Sequence, residues 1–496
     1  MANRNLNWSK YPKIYEINTW SWLSKLSEIY GHDINLENIP IDIVDKKLNK
    51  FDAVWTMGVW ERSPKGRKIA INDEGLQEEY RKALRYFSTE DVVGSPYSIF
   101  YYHIDSHLGG IKGMESFRQD LEQRGIRLIL DYVPNHVAID HMWTLEKSDL
   151  FISGTLQDLM TKPYEYFSIG EKVYAYGRDP NFPPWTDTVQ INAFSKDART
   201  KAINTLLSIA EQCDGVRCDM AMLMTNEVFS KTWSEKVSNI PKIDFWEEVI
   251  PKVKEKYHDF LFIAEVYWDM EWKLQQQGFD YCYDKKLYNR LMNDNAQKII
   301  SHISAEWNYQ TKLLRYIENH DEERAVNAFG EKASLAAATI IMTLPGACLI
   351  HEGQMDGNEI KLPVQLGKSP LEKPNSKISE YYDKLLKIAP GKEWDEAKWL
   401  LCGVEPMDSN DTSFRNIISY QWLKGELRLL IIINYNQNRS KAHIIINEII
   451  YGISDWRFTD LLNEKVYKYT GKDLDENGLY VDLDGWKSHI FRVEKT

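Results

Sequence analysis

Short, nearly continuous apolar runs alternate with longer amphipathic stretches over most of the chain. The runs at 13–18 (KIYEIN), 52–57 (DAVWTM), 126–133 (IRLILDYV), 213–219 (CDGVRCD), 260–266 (FLFIAEV), 279–284 (FDYCYD), 313–319 (LLRYIEN) and 347–350 (ACLI) predict eight strands. Continuous apolarity is what strands buried on both faces of a parallel sheet require. Between them, 113–125, 196–212, 332–344 and 379–389 carry the helical period. Strand–helix alternation repeated eight times predicts an α/β chain built on a (β/α)₈ TIM barrel, over 1–136 and 195–392. A doubly wound open sheet is the alternative, but no glycine-rich phosphate loop follows the first strand to support it.

One interval breaks the spacing. A βα unit needs about 30 residues, and far more separate Asp131 from Asp219. The surplus, 137–194, is irregular and aromatic-rich, and predicts a subdomain inserted after the third strand. Trp143, Phe182 and Trp185 are the candidates for docking it. From 393 to 496 the pattern becomes short strands separated by turn residues, including LRLLIIINYN, KAHIIINEI and KSHIFRVEK, which predicts an all-β sandwich domain. The uncharged run 333–350 approaches the length of a membrane span, but Pro345 and Gly346 interrupt it. It reads as a buried helix, a turn and a strand, with no membrane partner.

Charge and cysteine content narrow the partners. A net charge of -12 and a pI near 5.5 argue against nucleic acid or an anionic membrane surface. The five cysteines are scattered without a CxxC, so neither a disulfide framework nor a zinc site is expected. The first twenty residues contain no apolar signal core, so the expected location is cytoplasmic. No cofactor is expected.

The chemistry concentrates at strand ends. In GVRCDMAML (215–223), alternation turns Val216 and Cys218 to one face and Arg217 and Asp219 to the other. Asp131, Asp219, Glu265 and Asp321 all fall at the C-terminal ends of predicted strands, where barrels build their sites. Asn135 and His136 follow the first of these, and Asn319 and His320 precede the last. Such a cluster suits glycoside hydrolysis, which needs one nucleophilic carboxylate and one carboxylic acid. It also suits a divalent metal. Arg217 favours the first for Asp219, because a guanidinium keeps a carboxylate ionised and aimed but repels a cation.

Four segments in order, DYVPNH, GVRCDMA, IAEVYW and ENHDE, resemble the signatures of the α-amylase superfamily of glycoside hydrolases. The resemblance covers the whole chain, including the insert and the β-rich C-terminal domain. It implies that Asp219 is the nucleophile that forms a covalent glycosyl-enzyme, Glu265 the general acid/base and Asp321 the carboxylate that stabilises the transition state. It also implies that Arg217 orients Asp219, that His136 and His320 bind sugar hydroxyls, and that Tyr97 of GSPYSI stacks on the reacting sugar. Trp268 is a candidate for stacking on the leaving-group sugar, and Asp131 reads as structural.

Three positions depart from the family pattern. Met222-Leu223 replaces Lys-His, Tyr101-Tyr102 replaces Asp-Tyr, and Gln190 stands where an Asp is common. These speak against long-chain starch as substrate and against the structural calcium on which many relatives depend, so no metal is expected. The leading expectation is a retaining hydrolase of α-glucosidic bonds in short soluble α-glucans or oligosaccharides. A transglycosidase or phosphorylase on the same scaffold is the alternative. A non-catalytic scaffold is a third reading, against which the intact nucleophile and acid count.

Overall fold

A computed structural model describes residues 8–146, 149–448 and 451–496. Residues 1–7, which belong to the expected barrel region and to the stretch read for a signal core, and Ile449, in an expected C-terminal strand, lie outside the described residues. Eight strands form a closed barrel: β1 Lys13–Asn18, β2 Ala53–Met57, β3 Arg127–Tyr132, β4 Gly215–Cys218, β5 Leu261–Ala264, β6 Tyr281–Tyr283, β7 Leu313–Arg315 and β8 Ala347–His351. Their order round the barrel is β1-β8-β7-β6-β5-β4-β3-β2. All residues of β2 to β8 are buried, which is why those runs carry so little polarity.

The chain groups into two compact units. The first holds 14–283 and 360–371. Within it, register sets the height of the strand ends: Arg217 of β4 pairs with Asp131 of β3, and Cys218 pairs with Ala264 of β5. The residues that follow, Asp219 and Glu265, leave neighbouring strands at the same level.

Two features of this unit were not foreseen. An antiparallel hairpin of Trp60–Arg62 with Ile99–Ile104 encloses two helices, Pro64–Asn72 and Glu74–Ala83. Ser63 caps the first by accepting from Gly66 N, and Asp73 caps the second by accepting from Leu76 N. Their small satellite core is Ala70, Tyr80, Ala83, Leu84, Val92 and Leu366.

The insert forms a three-stranded antiparallel sheet (153–154, 166–169, 172–175) and a two-stranded ribbon of His136–Ala138 with Thr188–Gln190. Phe182 does not dock it. Asp179 Oδ1 accepts the N–H groups of Asn181 and Phe182, and this turn leaves the Phe182 ring exposed. Trp185 instead faces the His136 ring at 5.1 Å, and Trp143 lies under Lys201 Nζ.

The second unit holds 284–359 and 372–496. Helix Glu331–Thr343 is buried almost all round and leads through Gly346, at φ 99°, into β8. The run 333–350 is thus a helix, a turn and a strand, and no helix among the described residues is long and apolar enough to cross a membrane. The C-terminal region comprises a six-stranded and a three-stranded antiparallel sheet. Leu430, Ile432 and Phe491 of the first share one core with Ala442, Ile444 and Val481 of the second. The strands Lys398–Leu401 and Lys465–Thr470, both outermost in the larger sheet, were not foreseen. Edge strands bury little: Lys398–Leu401 spans only four residues, and Lys465–Thr470 alternates between exposed and half-buried positions. All five cysteines are free.

Candidate active site

Arg217 organises the site in the first unit. Its Nη1 meets Asp219 Oδ1 at 2.8 Å and its Nη2 meets Glu265 Oε2 at 2.8 Å. One guanidinium therefore bridges the carboxylates that leave β4 and β5. Asp131 Oδ1 lies farther off, 4.0 Å from Nη1. The Arg217 guanidinium is also ringed by aromatic faces, Tyr97 at 5.2 Å, Trp55 at 5.3 Å and Tyr283 at 5.7 Å. Burial opposes its charge, but Glu265, Tyr97, Tyr283 and Asp219 hold its pKa well above the usual arginine value.

The main chain fixes the carboxylates. Asp219 N donates to Tyr132 O at 2.9 Å and Glu265 N to Cys218 O at 3.0 Å, which extends the barrel ladder one residue past each strand. Met220 then turns into the left-handed region, φ 41°, and its N–H donates to Glu265 Oε2 at 2.6 Å. A non-glycine residue held in that conformation costs about 1 kcal/mol or more, here at the residue that follows Asp219 in the chain. The other oxygen, Glu265 Oε1, accepts from the Tyr267 hydroxyl at 2.8 Å. Trp268 and Asp269 continue the loop at φ 64° and φ 59°, which leaves Trp268 about 42% exposed beside the acid.

Asp131 is occupied otherwise. It accepts from Trp55 Nε1 at 3.2 Å and from Gly58 N at 3.0 Å, so its structural part is to pin the loop after β2 and not its own loop.

His136 is buried against Trp185. Burial pushes its pKa down to about 4 from the ordinary 6.5, so the imidazole is neutral at neutral pH. His141, also buried, is pushed down to about 4 by burial and by Lys201. An unfolded histidine gains its proton as pH falls through 6.5, whereas these gain it only near 4, so stability is lost across that window. His141→Gln is expected to reduce the loss between about pH 7.5 and pH 4.5 by about 2 to 3 kcal/mol in urea titrations. An unchanged loss contradicts a buried neutral histidine.

Gln190 occupies the position tested for calcium. Its Nε2 donates its two hydrogens among three oxygens, Asn135 O at 3.0 Å, Asn135 Oδ1 at 2.9 Å and Ile191 O at 3.0 Å. Its Oε1 accepts from Arg178 N at 3.2 Å. An amide nitrogen thus fills the point where these oxygens converge, and no carboxylate joins them. Calcium wants six to eight oxygens, several of them anionic, so the residues present do not fit it. Excess EDTA is expected to leave the melting temperature unchanged. Gln190→Ala, which strands buried acceptors at about 1 kcal/mol or more each, is expected to lower it by several degrees. A fall of more than about 5 °C on chelation contradicts this reading.

In the second unit, Asp321 and His320 lie on the loop after β7, where His320 Nε2 stands 3.0 Å from Asp321 Oδ2. His320 is buried, whereas Asp321 reaches solvent. Asn319 Oδ1 accepts the N–H groups of Asp321 and Glu322. Glu318 closes the loop by accepting from Arg324 Nη1 at 2.5 Å and from Ala325 N at 2.7 Å. Burial works against the Glu318 charge, yet Arg324 and His351 hold its pKa below the usual range.

Sequence reasoning missed Tyr267, Tyr283, Trp55 and the Met220 N–H. Tyr283 ends β6, so the strand-end rule that found the carboxylates reaches it too. Tyr267 lies two residues after Glu265, on the same side of an extended chain. Nothing in the sequence marks the Met220 N–H.

Fold and site define a (β/α)₈ barrel with paired carboxylates at its fourth and fifth strand ends. The family described as "Alpha amylase, catalytic domain" matches residues 93–203. An α-amylase of Haloarcula japonica is 25% identical over 353 residues, 69% of this chain and 45% of that protein. A cyclomaltodextrinase of Thermoanaerobacter pseudethanolicus is 24% identical over 315 residues, 60% of this chain and 51% of that protein. The chain spans about half the length of the curated relatives it matches. The solved α-amylase of Lactobacillus plantarum shares the fold, with a TM-score of 0.67 at 18% identity over 97% of this chain and 99% of that one. The chain thus resembles the α-amylase family in residues 93–203 and shares the fold of a solved α-amylase.

Proposed function

We propose that the chain is a retaining glycoside hydrolase that cleaves α-glucosidic bonds in short soluble oligosaccharides by double displacement. The observation that carries this is the shared grip of Arg217 on Asp219 and Glu265. A retaining enzyme needs its two carboxyl groups about 5 to 5.5 Å apart, and two acids held on the same guanidinium are constrained to be close.

In this reading Asp219, aimed by Arg217, attacks the anomeric carbon as Glu265 protonates the departing oxygen. Glu265 then takes a proton from the water that releases the sugar. Oε2 of Glu265 is held by Met220 N–H and Arg217. Oε1, with the Tyr267 hydroxyl beside it, is therefore the oxygen that exchanges the proton. Neutral His136 and the ring of Tyr97 bind the reacting sugar, and Trp268 offers a face to the leaving group. Asp321 and His320 have the role of holding sugar hydroxyls. A site without the family's usual Lys-His after the nucleophile, and relatives named cyclomaltodextrinase and α-glucosidase, support short substrates.

Incubation with α-glucosides and malto-oligosaccharides, with and without phosphate, followed by chromatography, tests the reading. Free sugars that need no phosphate are expected. Sugar phosphate formed only with phosphate present, or longer oligosaccharides as the main product, contradicts hydrolysis and identifies a phosphorylase or a transferase.

A further inference from the structure

In the first unit, Ile360–Leu371 runs as a strap across the segments that follow β1 and β2. It contains no helix or strand, so its place is set by the ties it makes. Val93 N donates to Gln365 O at 2.8 Å and Gly367 N to Asp91 O at 2.8 Å, with a bridge of Val92 and Leu366 between them. Arg62 Nη1 adds a further tie, donating to Gly94 O at 2.6 Å and to Val364 O at 3.1 Å. Beyond these, Ser369 Oγ donates to Ser21 O at 3.5 Å, and Gly367 lies so close to Trp20 that a Cβ there would stand 3.4 Å from its ring. Trp20 and Ser21 follow directly on β1.

The seam is closed and lies next to the site. Val92, Gly94, Pro96 and Leu366 are buried, which leaves no groove between the strap and the loop that carries Tyr97. Gly94, held by Arg62, precedes Tyr97 in that loop. Arg62 Nη2 also donates to Gly58 O at 3.4 Å, and Gly58 N donates to Asp131, which faces Arg217. Position round the barrel then gives the strap a direction. Loops at the C-terminal ends of barrel strands build the site, and β5, which ends at Glu265, stands opposite β1 in the ring. The acid protonates the oxygen of the leaving group, so the leaving sugars extend on the β5 side, past Trp268. Sugars on the other side of the reacting ring, toward the non-reducing end, head for β1 and β2, where the strap lies.

We propose that the strap closes the non-reducing side of the reacting subsite, so that the enzyme attacks chain ends and releases one glucose at a time. This rests on the glycoside hydrolase reading given above and adds the mode of attack. Arg62, Leu366 and Gly367 determine that specificity by holding the wall in place, without touching a sugar.

The full chain is tested on maltoheptaose and on the same sugar with an ethylidene acetal on its non-reducing end. Glucose is expected as the first product of the free sugar, and the blocked sugar is expected to be cut about a hundredfold more slowly. Gly367→Val brings a Cβ to 2.7 Å from Val93 Cγ1 and pushes the strap off its seat. It is expected to narrow the ratio of the two rates about tenfold. A circular-dichroism spectrum that matches the parent confirms that this variant folds, and the comparison of the two sugars on the parent needs no variant. Equal rates on the two sugars, or maltose and longer chains as first products, overturn the closed end and leave the glycoside hydrolase standing. A ratio that folded Gly367→Val does not move overturns the strap as its cause. No cleavage of either sugar overturns the glycoside hydrolase reading as well.

Discussion

Asp219→Asn and Glu265→Gln are each expected to lower kcat by about a thousandfold or more, with no loss of thermal stability. Both substitutions keep the side-chain shape. The amide introduced in place of Asp219 would still accept from Arg217 but could not form a glycosyl ester. The amide introduced in place of Glu265 would still accept from Met220 N–H with its oxygen and donate its NH2 to the Tyr267 hydroxyl, but has no acidic proton to give. Stability should not suffer, because Asp131, Asp219 and Glu265 crowd three carboxylates round one guanidinium. Asp219→Asn removes one negative charge from that cluster and Glu265→Gln mimics the protonated acid, so the melting temperature of each is expected to stay level or to rise. Steady-state kinetics with a calorimetric melt of each variant checks both halves. Residual activity above about a tenth of the parent rejects the role, and a large fall in melting temperature shows that the carboxylate was needed for folding instead.

Arg217→Met is expected to show the opposite balance, with activity and stability lost together. Arg217 is among the most deeply buried side chains of the chain, and three carboxylates face it. Breaking a buried ionic cluster by taking away its cation typically costs about 3 to 5 kcal/mol. For a chain of this size that corresponds to a melting temperature about 3 to 5 °C lower. Arg217→Lys keeps the charge but not the fork, so it cannot hold Asp219 and Glu265 at once. It is expected to recover most of the stability while kcat stays at least about tenfold below the parent. A stable, active Met variant contradicts the organising role assigned to Arg217.

The barrel was legible because its strands are buried on both faces and must be apolar throughout, as IRLILDYV and FLFIAEV are. The Arg217–Asp219 pair was legible because alternation alone puts two charges on one side of an otherwise apolar strand. That Glu265 stands level with Asp219 was not, since it depends on the pairing of Cys218 with Ala264 across two strands. The helices at 64–83 escaped because they lie within the hairpin of Trp60–Arg62 with Ile99–Ile104, outside the strand–helix alternation. Gln190 was read as a missing charge, but its part as donor to three oxygens appears only once Asn135 and Ile191 are folded round it. Phe182 misled because an aromatic residue in an insert suggests docking, whereas a turn at Asp179 directs it to solvent.

The anomeric configuration of the first product tests the central claim most directly. Proton NMR, recorded within the first minutes of reaction on an α-linked malto-oligosaccharide and before mutarotation, distinguishes the two anomers. Attack by Asp219 followed by attack of water inverts the centre twice, so the α-anomer is predicted to appear first and then to decay toward the equilibrium mixture. The β-anomer as first product would mean that water attacks the substrate directly, and that the carboxylates bridged by Arg217 do not act as nucleophile and acid/base.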